Sequence, residues 1–188
     1  MEIGIYEKIN LYIAMSLDGY IADEKGGVDW LGGQNNDQDF GNDDMDSYSD
    51  FISDIDTVIM GWNTYHQIVT ELSPNKWIYD HLTTYVITHH KIASFKNKIF
   101  TDENPVELLR KLRLEKGKGI WICGGANLVQ QLIKEDVIDV YYITVIPTLL
   151  GAGIRLFENI GREIKLRLVK VHSYNGMTDL IYVKRAVS

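Results

Sequence analysis

The feature that most narrows what this chain can fold into is a series of short, nearly uninterrupted apolar runs at residues 9–15, 57–60, 84–88, 119–123 and 139–146, rich in β-branched and aromatic side chains. A strand with one wet face alternates apolar and polar residues; a strand covered on both faces does not need to. Several of the intervening segments carry helical periodicity, so strand and helix alternate along the chain. This pattern predicts an α/β fold with a mostly parallel central sheet and helices on both faces.

Two helices have readable starts. Asn104 is placed to cap, Pro105 occupies the first helical position and Glu107 lies three residues after the cap, followed by an apolar stripe of Val106, Leu108, Leu109 and Leu112. After Gly125, residues Leu128, Val129, Leu132 and Ile133 recur at helical spacing directly behind the strand that ends at Cys123. The end of the chain changes character: residues 166–174 and 179–185 flank Asn175-Gly176, which predicts a C-terminal antiparallel hairpin. Residues 26–46 form a Gly-, Asn- and Asp-rich segment too long for a simple connector, and a substrate-covering role is expected of it. With no repeats and no Pro- or Ser-rich linker, residues 1–188 read as one domain.

Composition excludes several classes of function. The net charge of -7 opposes generic nucleic-acid binding, which needs a surplus of Lys and Arg. Residues 29–56 hold nine Asp and no Lys or Arg, whereas residues 91–118 are strongly basic. Cys123 is the sole cysteine, so no intramolecular disulfide forms and a reducing compartment fits. No run approaches the roughly 20 apolar residues of a membrane helix, and no leader or anchor is expected. The expected location is the cytoplasm, without nucleic-acid or membrane partners.

Three segments can carry chemistry. In Ile122-Cys123-Gly124-Gly125-Ala126-Asn127 a strand passes through two glycines into a helix, where free N–H groups and the helix dipole favour a diphosphate; the same sequence also serves as a packing turn. Val58-Ile59-Met60-Gly61-Trp62-Asn63-Thr64-Tyr65 repeats the strand-glycine-helix design. Side by side, two such ends make a dinucleotide crevice. The third, residues 12–22, is a strand leading into a small-residue loop. Neither G-x-G-x-x-G nor a P-loop pattern is present.

Taken in order, A-M-S-L-D-G-Y-I-A near the start, V-D-W-L at 28–31, V-I-M-G-W-N-T-Y at 58–65, G-G-A-N-L-V at 124–129 and I-P-T-L-L-G-A-G-I-R-L-F at 146–157 resemble the dihydrofolate-reductase-like superfamily. The resemblance is greatest to small stand-alone proteins similar to the reductase domain of the bifunctional riboflavin-biosynthesis deaminase-reductase, and it spans residues 9–186. It implies a three-layer sandwich and an NAD(P)H-dependent oxidoreductase, with NADPH as the expected cofactor and NADH the second choice.

The resemblance also implies roles for single residues. Ala14 and Ile21 would flank the nicotinamide, with Asp18 in the turn between them either ordering the loop or facing substrate. Gly61 and Thr64 would contact the cofactor phosphates, and Gly124, Gly125, Ala126 and Asn127 would cradle the diphosphate. Trp62 stands where the family often has Arg or Lys for the adenosine 2′-phosphate, so the group that replaces that cation is expected among Thr88, His89, His90 and Lys91, with two surface histidines beside a lysine as the competing reading. Adjacent histidines rarely converge on one ion, and no metal is expected. The acid that holds a pteridine in folate reductases maps to Met45, so Asp44 or Asp46 would serve after a one-residue shift. Thr144 falls on a strand position that keeps a hydroxyl toward substrate, and Trp30 matches a pocket tryptophan; ordinary packing is the competing reading for both.

Hydride transfer asks the protein mainly for near-attack geometry and a nearby hydrogen-bonding group. Two enzyme readings follow from the resemblance: reduction of a 5-amino-6-(5-phosphoribosylamino)uracil-type intermediate, as in riboflavin biosynthesis, or reduction of a dihydrofolate-like pteridine. A reading of another class is a non-catalytic nucleotide-binding module. Between Ile9 and Asn75 the only Lys or Arg is Lys25, with Lys76 and Arg155 the further candidates, so a small neutral or cationic heterocycle suits the chain better than an anionic substrate. Tyr141 and Tyr142, expected to be exposed, and the family's habit of pairing point to a homodimer.

Overall fold

The computed structural model describes residues 7–34 and 47–185. Eight strands form one sheet. In chain order they are β1 (Ile9–Ser16), β3 (Ile55–Gly61), β4 (Thr83–Ile87), β5 (Lys98–Thr101), β6 (Gly119–Gly124), β7 (Val140–Ile146), β9 (Leu166–Tyr174) and β10 (Met177–Lys184). Their spatial order is β5-β4-β3-β6-β1-β7-β10-β9, and the first six run parallel. β10 returns antiparallel to β7, and β9 is its hairpin partner, as the Asn175-Gly176 turn predicts. Both turn residues adopt positive φ, 46° and 71°.

The helices are α1 (Ser47–Ser53), α2 (Trp62–Gln67, continued as one wider turn over Ile68–Leu72), α3 (Pro105–Leu112) and α4 (Ala126–Lys134). Two separate cores show why the strands are apolar on both sides. One face of the sheet buries Leu11, Ile59, Ile120, Ile122 and Ile143 under α3 and α4, through Leu109, Leu112, Val129 and Leu132. The other buries Val58, Met60, Val86 and Trp121 under Phe51 and Ile68 of the α1 and α2 side. This is the three-layer sandwich expected from the sequence. α3 begins as predicted, with the Asn104 side chain accepting from the N–H groups of Val106 and Glu107.

A two-stranded ribbon, β2 (Tyr20–Ala22) with β8 (Ile154–Arg155), joins two of the motifs. Asp18 is its anchor. Its carboxylate accepts from the Ser16 hydroxyl at 2.6 Å and from the backbone N–H groups of Leu150 and Gly151 at 3.1 and 2.8 Å. A Cβ on Gly153 would lie 2.2 Å from the Ala22 carbonyl oxygen, so the two loops touch backbone to backbone there. The segments read as A-M-S-L-D-G-Y-I-A and I-P-T-L-L-G-A-G-I-R-L-F are thus two halves of one loop cluster.

Candidate functional site

A cleft of about 1460 Å³ runs along the carboxyl edge of the parallel strands. Open α/β sheets place their ligand crevices at this edge. Its centre lies where β3 and its neighbour β6 each end in glycine, with Met60 in register with Gly124. A Cβ on Gly61 would meet the Gly125 nitrogen at 3.7 Å, and one on Gly125 would meet the Thr64 hydroxyl at 3.2 Å, so the two glycine turns and Thr64 form one cradle. Gly124 adopts φ +137°, which side-chain-bearing residues rarely take, and the Gly124-Gly125 peptide is cis. Unlike α3, helices α2 and α4 start without a side-chain cap, because glycine occupies the capping position in both. The cradle therefore offers backbone N–H groups, close approach and two helix starts, which fits a diphosphate. Gly61, Trp62, Thr64, Gly124, Gly125, Ala126 and Asn127 all line the cleft, as do Ala14 and Ile21.

At one end Trp62 packs among His90, His66 and Tyr65, with ring centroids 4.5, 5.6 and 5.7 Å away. His66 and His89 line the cleft; Thr88, His90 and Lys91 lie outside the lining. Thr88 is buried and its hydroxyl accepts from the His90 N–H, which shapes this turn. Lys91 pairs with Asp102 at 3.3 Å, and that contact holds the Asp102 carboxyl below the usual carboxylate range. Asp102 and its neighbour Glu103 both reach the cleft, so its rim carries acid beside the histidines.

The other end is aromatic. Tyr12, Tyr48, Tyr79 and Trp121 line it with Cys123, and Tyr12 lies within 5.9 Å of Tyr48 and stacks on Tyr142 at 5.6 Å. Burial pushes the Cys123 thiol up to about 12, so it is an inert part of the wall. Beyond the wall, register aligns Ala14 of β1 with Thr144 of β7, and Thr144 with Asp179 of β10. Thr144 donates to the Asp179 carboxylate at 2.6 Å, and the Tyr174 hydroxyl, held protonated by burial and then by the Asp179 charge, lies beside the pair. Asp179 is only 3% exposed, while Thr144 and Tyr174 line the cleft.

Several expected site residues lie elsewhere. Asp18 sits outside the cleft lining, engaged by the Leu150 and Gly151 loop, and the Ser16 hydrogen bond leads those that hold its carboxyl down to about 2. Trp30 is half-buried and donates to the Gly27 carbonyl; Val28 and Leu31 reach the cleft on either side of it. Asp44 and Asp46 fall outside the described residues. Arg155 lies over the Tyr20 ring and donates to its hydroxyl at 3.0 Å, and neither it nor Lys76 lines the cleft. The expectation of exposed Tyr141 and Tyr142 is corrected. Tyr141 is 3% exposed because it belongs to the α3 and α4 core, and Tyr142 faces the opposite core against Tyr12 and Phe51.

Sequence reasoning missed Asp179, Tyr174 and the aromatic wall. The available signal was a single carboxylate directly before the apolar run Leu180, Ile181, Tyr182 of a strand that had to pair with another apolar strand. Among the described residues no group of acidic, His or Cys side chains has the arrangement of a metal site, and no helix is long and apolar enough to cross a membrane.

The parallel sheet, with two adjacent strands ending in glycine above an edge cleft and a C-terminal hairpin closing it, has a dihydrofolate-reductase-like α/β fold. Within it, the chain belongs to the RibD C-terminal domain family, whose model matches residues 7–180. It is 41% identical over 180 residues to the Bacillus subtilis protein YwjB, itself uncharacterized, covering 94% of this chain and 98% of YwjB. A Shewanella sp. PV-4 protein assigned to riboflavin biosynthesis superposes with TM-score 0.76 at 26% identity over 95% of this chain and 99% of its own. The dihydrofolate reductase of Enterococcus faecalis, solved in complex with NADP(H) and RAB-propyl, shares the fold with TM-score 0.62 at 16% identity, over 96% and 99% of the two chains.

Proposed function

We propose that this protein is a cytoplasmic, NADPH-dependent reductase that passes a hydride to a small heterocycle. The observation that carries the reading is the cradle in which Gly61, Thr64, Gly124 and Gly125 approach one another below two uncapped helix starts. The reduced nicotinamide supplies the hydride. The chain's own residues bind and orient: the cradle holds the diphosphate, Ala14 and Ile21 flank the ring, and Tyr12, Tyr48 and Trp121, whose rings meet edge to face or tilted, form an aromatic wall for the acceptor. His66 and His89, with His90 beside Trp62, take the place of the absent Arg or Lys near the 2′-phosphate.

The family and the Shewanella relative favour a reaction of the 5-amino-6-(5-phosphoribosylamino)uracil reductase type over a folate reductase. The cleft offers little to hold a phosphorylated acceptor, since Glu24, Glu71, Asp102 and Glu103 line it and Lys25 is its one Lys or Arg among the described residues. The acceptor proposed is therefore a heterocycle without a phosphate tail. Subunits pair through the edge strand β9, where Leu168, Val169 and Val171 are each about half exposed.

Titration of the purified chain with NADPH and, separately, NADH tests the reading through quenching of tryptophan fluorescence, since Trp62 and Trp121 both line the cleft. Saturable binding with NADPH preferred is expected. Binding of neither cofactor overturns the reductase.

A further inference from the structure

We propose that Asp179 is a positioning residue that turns the acceptor end of the cleft into a hydrogen-bond-accepting surface, selecting uncharged or cationic heterocycles that present N–H donors. The inference rests on the reductase reading only for where the acceptor lies. In the row across the sheet, Ala14, Thr144, Asp179 and His172 are successive register partners on β1, β7, β10 and β9, so their side chains project from one face. Neighbouring strands are spaced about 4.8 Å apart, which places Thr144 next to the proposed nicotinamide position and Asp179 one strand further.

The protons decide the polarity of this surface. An ionised carboxylate is an acceptor only. The Thr144 hydroxyl donates to Asp179, and the Tyr174 hydroxyl, kept protonated by burial first and the Asp179 charge next, lies beside that pair, so its proton is drawn toward the same carboxylate. A hydroxyl has one proton, so once both are committed to Asp179 only lone pairs on the Thr144 and Tyr174 oxygens remain for the cleft. A ligand edge with N–H groups meets two acceptors there. An edge of carbonyl oxygens meets lone pairs facing lone pairs, and burying acceptors without donors costs most of the binding they would otherwise support. The acid that lines the cleft at Glu24, Glu71, Asp102 and Glu103 works in the same direction.

The test uses three planar probes uncharged near pH 7.5: 2-aminoquinazoline, its dimethylamino analogue with the N–H donors capped, and a dimethylated quinazolinedione that offers carbonyl acceptors only. Each is titrated into the full-length protein with and without NADPH. The wild type is expected to bind 2-aminoquinazoline roughly tenfold or more tighter than either other probe. Asp179→Asn, whose amide donates one hydrogen bond and so frees one hydroxyl proton for the cleft, is expected to lose that preference or shift it toward the dione. Tyr174→Phe, which removes one acceptor from a half-buried position, is expected to narrow it without raising dione binding. Equal binding of the three probes by the wild type, no binding of any, or an unchanged preference in a folded Asp179→Asn protein overturns the proposal. If NADPH binds while the preference is absent, this inference alone fails; if the preference is present while NADPH does not bind, the reductase reading fails instead.

Discussion

Single residues here serve more than packing, and Glu7 shows it most directly. It is 8% exposed, and a Cβ on Gly117 would sit 2.4 Å from its carboxylate and 2.5 Å from that of Asp56, so two acids crowd one glycine. Burial, followed by the Asp56 and Glu115 charges, pushes the Glu7 carboxyl from 4.5 up to about 7. A carboxyl whose folded pKa is raised contributes stability below its unfolded value and loses that contribution as pH rises through the folded one. The fold should therefore weaken between about pH 4.5 and 7 on account of this residue. Glu7→Gln removes the charge and keeps the shape. Urea denaturation is expected to show the variant more stable than the wild type at pH 8, with the gain gone by pH 4.5; an equal gain at both would mean that ionisation of Glu7 does not matter.

At the scale of elements, the junctions between strand and helix divide into two kinds. α3 is closed by its Asn104 cap, while α2 and α4 begin at glycine without a side-chain cap, and in the proposed complex their first-turn N–H groups face the diphosphate. Gly125→Ala would push a methyl group to 3.2 Å from the Thr64 hydroxyl, and Gly125 has φ -90°, which alanine tolerates. The fold should survive while the cradle shifts by a few tenths of an ångström. Losing one hydrogen bond to a charged group, about 1.5 to 3 kcal/mol, weakens NADPH binding roughly tenfold or more, with melting temperature nearly unchanged. A matching loss of melting temperature would assign Gly125 to packing alone.

These junctions were legible because glycine after an apolar run is a local signal, and so was the hairpin at Asn175-Gly176. β5 escaped notice because Lys98 to Thr101 is short and half polar, and it becomes a strand only by pairing with β4 at the sheet edge. α1 was hidden at the end of an acid-rich stretch, and besides Tyr48 its only apolar residues are Phe51 and Ile52. Asp179 was unreadable for a different reason. Its meaning depends on Thr144 and Tyr174, and the pairing of β10 with β7 across 35 residues is tertiary information.

For the whole molecule, the sheet has two different edges. β5 is short, while β9 spans nine residues with Leu168 and Val171 exposed and a register shift opposite Ile181 and Tyr182. A long apolar edge invites pairing with another chain. The proposed dimer predicts that Leu168→Glu combined with Val171→Glu yields monomers in sedimentation analysis with the far-ultraviolet spectrum preserved. A wild-type protein that sediments as a monomer at tens of micromolar would remove β9 as an interface.

The strand order also has a bearing on how the molecule is made. β1 leaves the ribosome before both of its sheet neighbours yet lies at the heart of the sheet, between β6 and β7, with Ile9 paired to Ile120 and Asn10 to Val140. Until more than a hundred further residues have been synthesised, its run of Leu11, Tyr12 and Ile13 has no native neighbour in the sheet. Closing contacts of such long sequence separation is slow, and it leaves an adhesive segment unguarded meanwhile. Yield in the cell should thus depend on chaperone supply and growth temperature more than the stability of the finished protein implies.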